Sequence, residues 1–214
     1  VPVAIQLDRG VSFESAVRAI NLGCNGVMVD ASHETFPTNV VRTRRLVEMA
    51  HGCGVTVEGK LGHVAGVEGE QAEKPLGDIV YTSVEEARTY VEHTQVDCLA
   101  VSIETVLERL PGRPTLDLER LAEINQHLQI PLAFYGGTGL SNEQYRHLIE
   151  NGVAKINYYN ALADTGFAKG VRTAIQAEVE RVVHLFGSGS RAEAGARGRT
   201  PVEQGRASHR VQHQ

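Results

Sequence analysis

The sequence predicts an α/β protein made of successive β-then-α units, and three observations carry that expectation. Short runs rich in Val, Ile and Leu alternate with stretches of helical periodicity along most of the 214 residues. Ser or Asp stands ahead of several helical stretches as an N-cap, and Gly closes several of them. Loops bearing Asp, Lys, Tyr and Gly follow the apolar runs, at the strand ends where parallel sheets bind ligands.

The first unit pairs a strand over Val3–Leu7 with a helix from Ser12, whose Phe13, Ala16, Val17 and Ile20 share one side and which Gly23 stops. A strand over Gly26–Asp30 leads through ASHETFPTN to a helix from Thr38, with Val41, Leu46, Met49 and Ala50 as its apolar stripe and Gly52 and Gly54 at its end. The third strand, Val55–Leu61, runs into a long polar, glycine-rich loop of the kind that serves as a lid. A helix follows at Ser83, which has capping-box spacing to Glu86. The fourth strand is Cys98–Ile103, and Asp117 caps the helix carrying Leu118, Leu121, Ile124 and Leu128. The fifth is Pro131–Tyr135, followed by GGTG and a helix opened by Ser141 and Gln144. The sixth is Val153–Tyr158, and a final helix covers Leu162–Phe186. These units make one domain over residues 1–187; residues 188–214 are too poor in large apolar side chains to offset the entropy of ordering and are expected to be a disordered tail.

Composition narrows the function. A net charge of −5 supplies no basic field for nucleic acid, and no apolar run is long enough to span a bilayer, so neither partner is expected. Three cysteines, Cys24, Cys53 and Cys98, without CxxC spacing fit no disulfide framework or cysteine zinc site and point to a reducing, cytoplasmic setting. The start VPVAIQL lacks the features of a signal peptide, and a strand beginning at residue 1 suggests a chain cut ahead of it. Six such units fit either an open sheet or a (β/α) barrel, for which eight are needed.

The candidate chemistry lies just after the strands: Asp8 and Arg9; Asp30, Ser32 and His33; Lys60 and His63; Glu104, Leu107 and Glu108; Tyr135 with Gly136, Gly137, Thr138 and Gly139; and Asn157, Tyr158, Tyr159 and Asn160. A glycine-rich turn ahead of a helix presents backbone N–H groups to an anion, so GGTG is a candidate phosphate cradle shared with NYYN. Asp8 suits a general acid or base, or an acceptor for Arg9. Lys60 suits an imine-forming amine or a salt bridge to Asp8, Asp30 or Glu58. His33 and His63 are candidate ligands beside Asp30, against which stands the ordinary solvation of lone loop histidines. Strand alternation turns one of Tyr158 and Tyr159 toward a substrate and the other into a packing layer.

The ordered blocks LDRG, VMVDASH, VEGKLGHVAGVEGE, DCLAVSIETV, LAFYGGTGLS and VAKINYYNAL resemble the class II, metal-dependent ketose-bisphosphate aldolases over about residues 1–190. The resemblance implies a TIM (β/α)8 barrel of which this chain carries strands three to eight, and a homo-oligomer if the barrel is completed. It also implies a phosphorylated ketose or dihydroxyacetone phosphate as ligand and reversible aldol cleavage as the family reaction. By position, the family's catalytic acid falls on Asp8, and Asp30 falls on one of the acidic residues of a second metal position. Gly136, Gly137, Thr138 and the Asn157–Asn160 stretch fall on the phosphate contacts. The three zinc histidines fall on Arg9, Leu107 and Tyr135, and the second metal glutamate on Lys60. A guanidinium has no lone pair to offer, and Leu107 has no donor atom. Arg9 and Lys60 would each repel a dication by a few kcal/mol at an effective dielectric of about 20. No zinc is therefore expected, which makes cleavage doubtful and leaves two alternatives: a non-catalytic phosphosugar-binding relative or gene fragment, and a metal-free Schiff-base lyase using Lys60.

Overall fold

The structure is a computed structural model that describes residues 3–62, 81–105, 115–135, 137, 140–158 and 171–188. The lid-like loop from His63, the tail from residue 189, and Leu107, Glu108, Gly136, Thr138, Tyr159 and Asn160 lie outside the described residues.

The first unit is β1 (Gln6–Gly10) and α1 (Phe13–Asn21), where Ser12 and Ser15 cap each other's backbone N–H. The next two are β2 (Gly26–Val29) with α2 (Phe36–Gly52), and β3 (Thr56–Lys60) with α3 (Val84–Thr94). Beyond β4 (Cys98–Val101) a short antiparallel ladder, β5 (Glu104–Thr105) with β6 (Thr115–Leu116), precedes α4 (Leu118–His127). The chain continues through β7 (Leu132–Phe134), α5 (Asn142–Glu150), β8 (Val153–Ile156) and α6 (Val171–Leu185).

Local chemistry accounts for most boundaries. Asp117 and Ser141 cap α4 and α5 as predicted, the latter in a full capping box with Gln144. At α3 the Ser83 hydroxyl accepts from the Glu86 N–H and donates its own hydrogen bond to the Glu86 carboxylate. Helix α2 starts two residues before the predicted Thr38, because Pro37 sits in its first turn, where a missing N–H costs nothing. Strand β1 starts three residues later than predicted: Val3 and Ile5 are exposed, and pairing with β2 begins only at Gln6 opposite Gly26. The β5/β6 ladder has no counterpart in the sequence expectation, since two-residue strands carry no periodicity.

Six parallel strands form one sheet in the order β1-β2-β3-β4-β7-β8, each crossover carrying a helix, with the β5/β6 ladder added to the crossover that carries α4. On one side of the sheet Val27, Val57, Leu99, Val101, Leu132 and Phe134 pack against Leu46, Tyr90, Leu121, Ile124 and Leu148 of the helices. Tyr90 is wholly buried and gives its hydroxyl to Thr43 at 2.7 Å and Asn39 at 3.1 Å, while the Asn39 amide donates to the Lys60 carbonyl at 2.9 Å. That chain ties α2 and α3 to β3, and Gly59 makes room for it: a Cβ there would stand 2.6 Å from the Tyr90 ring. Among the described residues no helix is long and apolar enough to cross a membrane.

Candidate functional site

The other side of the sheet carries polar and charged side chains beside the buried Met28, Ala100 and Ala133. Alternation along β3 turns Val57 and Gly59 to the helices and therefore Glu58 and Lys60 away from them. The same parity exposes Gln6 and Asp8 of β1, Asp30 after β2, Tyr135 after β7, and Lys155 and Asn157 at β8. Side chains from strands that are not neighbours meet here, so the sheet is curled into a half-barrel with this side concave.

Two clusters fill the concavity. In the first, Asp30 accepts from Lys60 Nζ at 2.8 Å, from the Ser32 hydroxyl at 2.6 Å and from Ser32 N–H at 3.0 Å, with Arg9 Nε at 3.4 Å. Burial alone would raise its pKa. The charge and hydrogen bond of Lys60, joined by the Ser32 bonds, outweigh burial and bring it down to about 2. Arg9 reaches Asp30 from a backbone with φ +49°, a left-handed conformation costly for arginine, at the irregular register between Leu7 and Gly10.

In the second, Glu58 is 4% exposed and is held by Lys155 Nζ at 2.8 Å, Gln6 Nε2 at 2.9 Å and the Tyr135 hydroxyl at 3.0 Å. The Tyr135 hydroxyl also lies 2.6 Å from Asp8, so two carboxylates share one phenolic proton. Burial first, then the charges of Glu58 and Asp8, push the Tyr135 pKa far upward, so it stays a protonated donor. The ammonium groups of Lys60 and Lys155 stand 5.1 and 5.6 Å from the centre of its ring, within cation–π range.

Beside these clusters lies the candidate phosphate turn. Gly137 sits hard against the end of β8: a Cβ on it would come within 2.8 Å of Ile156 and 2.9 Å of the Asn157 carbonyl. Its own carbonyl accepts from the buried Tyr145 hydroxyl. Asn157 donates its N–H to the Phe134 carbonyl at 2.9 Å and accepts from Lys155 Nζ at 2.9 Å. Gly137 after β7 and Asn157 after β8 thus lie against each other. Ser102, two residues beyond Ala100 on the same side, carries the buried side-chain oxygen without a hydrogen-bond partner among the described residues.

The structure brings Asp8, Asp30, Lys60, Gly137 and Asn157 of the predicted set to this concavity. It places Tyr158 on the helix side instead, with its hydroxyl on Glu178 of α6 at 2.5 Å and its ring against Tyr145. Tyr158 is the tyrosine that alternation assigns to packing, and it has no face left for a substrate on this side. His33 is exposed, with its ring 3.9 Å from the Glu34 carboxylate. Sequence reasoning passed over Gln6 and Lys155 and gave Glu58 only as a bridge partner for Lys60. Their signal was the two-residue spacing to Asp8, Lys60 and Asn157, which puts them on the same side.

The sequence matches the fructose-bisphosphate aldolase class-II family over residues 1–198. It is 40% identical over 173 residues to a fructose-bisphosphate aldolase of Geobacillus stearothermophilus, covering 80% of this chain and 58% of that protein. It is 38% identical over 180 residues to the fructose-bisphosphate aldolase of Staphylococcus aureus strain Mu50, covering 84% and 62% respectively. The chain therefore spans about three fifths of the length of these curated relatives. The fold is similar to the crystal structure of the YdjI aldolase from Escherichia coli K12, with a TM-score of 0.74 at 28% identity over 90% of this chain and 71% of that one. The six parallel strands correspond to a half-barrel of that α/β architecture. Sequence blocks, half-barrel and match agree, and the chain belongs to the class II fructose-bisphosphate aldolase family.

Proposed function

We propose that this chain binds a phosphorylated ketose or dihydroxyacetone phosphate in the concavity, and that the zinc-dependent aldol cleavage of its family is absent from it. The phosphate goes to the turns at Gly137 and Asn157, where two loops after adjacent strands lie in contact. One observation carries the loss of zinc: the acids of the concavity are already engaged by the chain's own donors. Asp30 is held by Lys60 and Arg9, Glu58 by Lys155 and Gln6, and Asp8 by Tyr135.

The donor set does not fit the metal. Arg9 offers only N–H groups, and Tyr135 would have to ionise against two carboxylates to become a ligand. Among the described residues no group of three His, Cys, Asp or Glu stands together to hold an ion. Six ionic side chains, Asp8, Asp30 and Glu58 against Arg9, Lys60 and Lys155, balance to zero without a cation. An imine on Lys60 has the same contact against it, because its ammonium is fixed on Asp30. The companion strands of a full barrel, and assembly into a homo-oligomer as in related aldolases, complete this reading.

Titration calorimetry with dihydroxyacetone phosphate tests the binding, and elemental analysis of the purified protein tests the metal. The expected result is saturable heat that chelation leaves unchanged, with zinc far below one per chain. Stoichiometric zinc whose removal abolishes fructose-bisphosphate cleavage would overturn the proposal.

A further inference from the structure

We propose that Lys155 is a positioning residue for phosphosugar binding: it fixes which end of the Asn157 amide the phosphate turn presents to a ligand. This inference rests on the phosphosugar reading above and deepens it by naming what orients a donor to the anion.

An asparagine amide has two ends of opposite sense, an oxygen that accepts and a nitrogen that donates, and a half-turn about its last bond exchanges them. Only the nitrogen suits a phosphate. Lys155 Nζ stands 2.9 Å from Asn157 Oδ1, and an ammonium has donors only, so it selects the orientation with the oxygen toward itself. The amide nitrogen then lies 3.4 Å from the Phe134 carbonyl, a long contact that selects weakly, uses one of its two N–H groups and leaves the other for an anion. The Asn157 backbone is held separately, with its N–H on the same Phe134 carbonyl at 2.9 Å and its own carbonyl packed against Gly137. Backbone contacts therefore set where Asn157 stands, and Lys155 sets its polarity.

Lys155 has this role because it is itself anchored. Glu58, 4% exposed, lies 2.8 Å from Nζ and is fixed in turn by Gln6 at 2.9 Å and by the Tyr135 hydroxyl at 3.0 Å. That hydroxyl also reaches Asp8, so an unbroken series of hydrogen bonds runs from Asp8 on β1 through Tyr135, Glu58 and Lys155 to Asn157. A close ammonium–carboxylate contact ties a lysine down, which is what a rigid positioning group needs.

A double-mutant cycle on dihydroxyacetone phosphate affinity, measured by calorimetry, tests the assignment. Lys155→Met and Asn157→Ala are each expected to weaken binding about tenfold, in keeping with the loss of one charge-assisted hydrogen bond, and the double variant to weaken it no further. Methionine fills much of the same space without a donor. Lys155→Arg, whose guanidinium also has donors only, should keep most of the affinity, a rescue that a space-filling role would not require. Because Lys155→Met leaves Glu58 buried without its cation, the cycle is repeated in a Glu58→Gln background, where no charge is stranded and the same non-additivity is expected. Additive losses, full affinity in Lys155→Met, or no recovery in Lys155→Arg overturn the inference while leaving the phosphosugar reading intact. Absence of binding in the wild-type chain sinks both.

Discussion

The Tyr135 hydroxyl lies 2.6 Å from the Asp8 carboxylate, joining residues 127 apart in sequence, one just after β7 and the other on β1, which is not its neighbour. Three strands, β2, β3 and β4, separate β1 from β7 in the sheet. In a flat sheet that separation would be about 19 Å at roughly 4.8 Å per strand, far beyond the reach of two side chains. The contact exists because the sheet curls, and it places the Tyr135 hydroxyl as a donor between Asp8 and Glu58.

Replacing Tyr135 with Phe keeps the ring and removes the proton shared by Asp8 and Glu58. Glu58 is buried, so losing a donor leaves part of its charge unsatisfied, and a destabilisation of about 1–3 kcal/mol is expected. Urea unfolding of the variant checks this. An unchanged midpoint would mean that the hydroxyl contacts are incidental.

Asp30 sets an acid limb of stability. Its folded pKa of about 2 lies below the ordinary value of 3.8, so its stabilisation is complete above pH 4 and lost as pH falls through the folded value. A shift of that size corresponds to about 2 kcal/mol. Asp30→Asn should therefore lower stability near neutrality and flatten the pH dependence between about pH 4 and pH 2. Lys60→Met should move the Asp30 titration upward, visible in carboxyl carbon shifts by NMR.

Gly59→Ala probes the packing behind the site. The added methyl meets the Tyr90 ring at 2.6 Å and Val96 at 3.0 Å, and Tyr90 is pinned by Thr43 and Asn39. Overpacking of this kind costs about 1–3 kcal/mol. Thermal unfolding should show the loss, and a neutral outcome would mean that Tyr90 can swing aside.

Gly137→Ala probes the turn itself. Its methyl would collide with Ile156 and the Asn157 carbonyl, prising apart the loops after β7 and β8. Affinity for dihydroxyacetone phosphate should fall by about tenfold or more, as about 1.4 kcal/mol of lost contact implies. Retained affinity by calorimetry would place the phosphate elsewhere.

Sequence alone determined what depends on neighbours along the chain. Ser12, Asp117 and Ser141 start helices through bonds to residues three positions on, and these were legible as spacing. The alternation of units was legible too, because strand and helix periodicities differ, and so was the family, from the order of its blocks. Tertiary structure decided everything that depends on strands meeting across the concavity. Lys60 had three candidate acids in sequence and takes Asp30; Glu58, named there only as one of those acids, anchors the second cluster. Lys155 on β8 and Tyr158 just beyond it sit three residues apart, and alternation sends Tyr158 to Glu178 on α6 and Lys155 to Glu58 on β3. The reason is geometric: hydrogen bonds that cap a helix are closed within one turn of chain, whereas ion pairs across a curled sheet depend on its curvature, which no local stretch of sequence encodes.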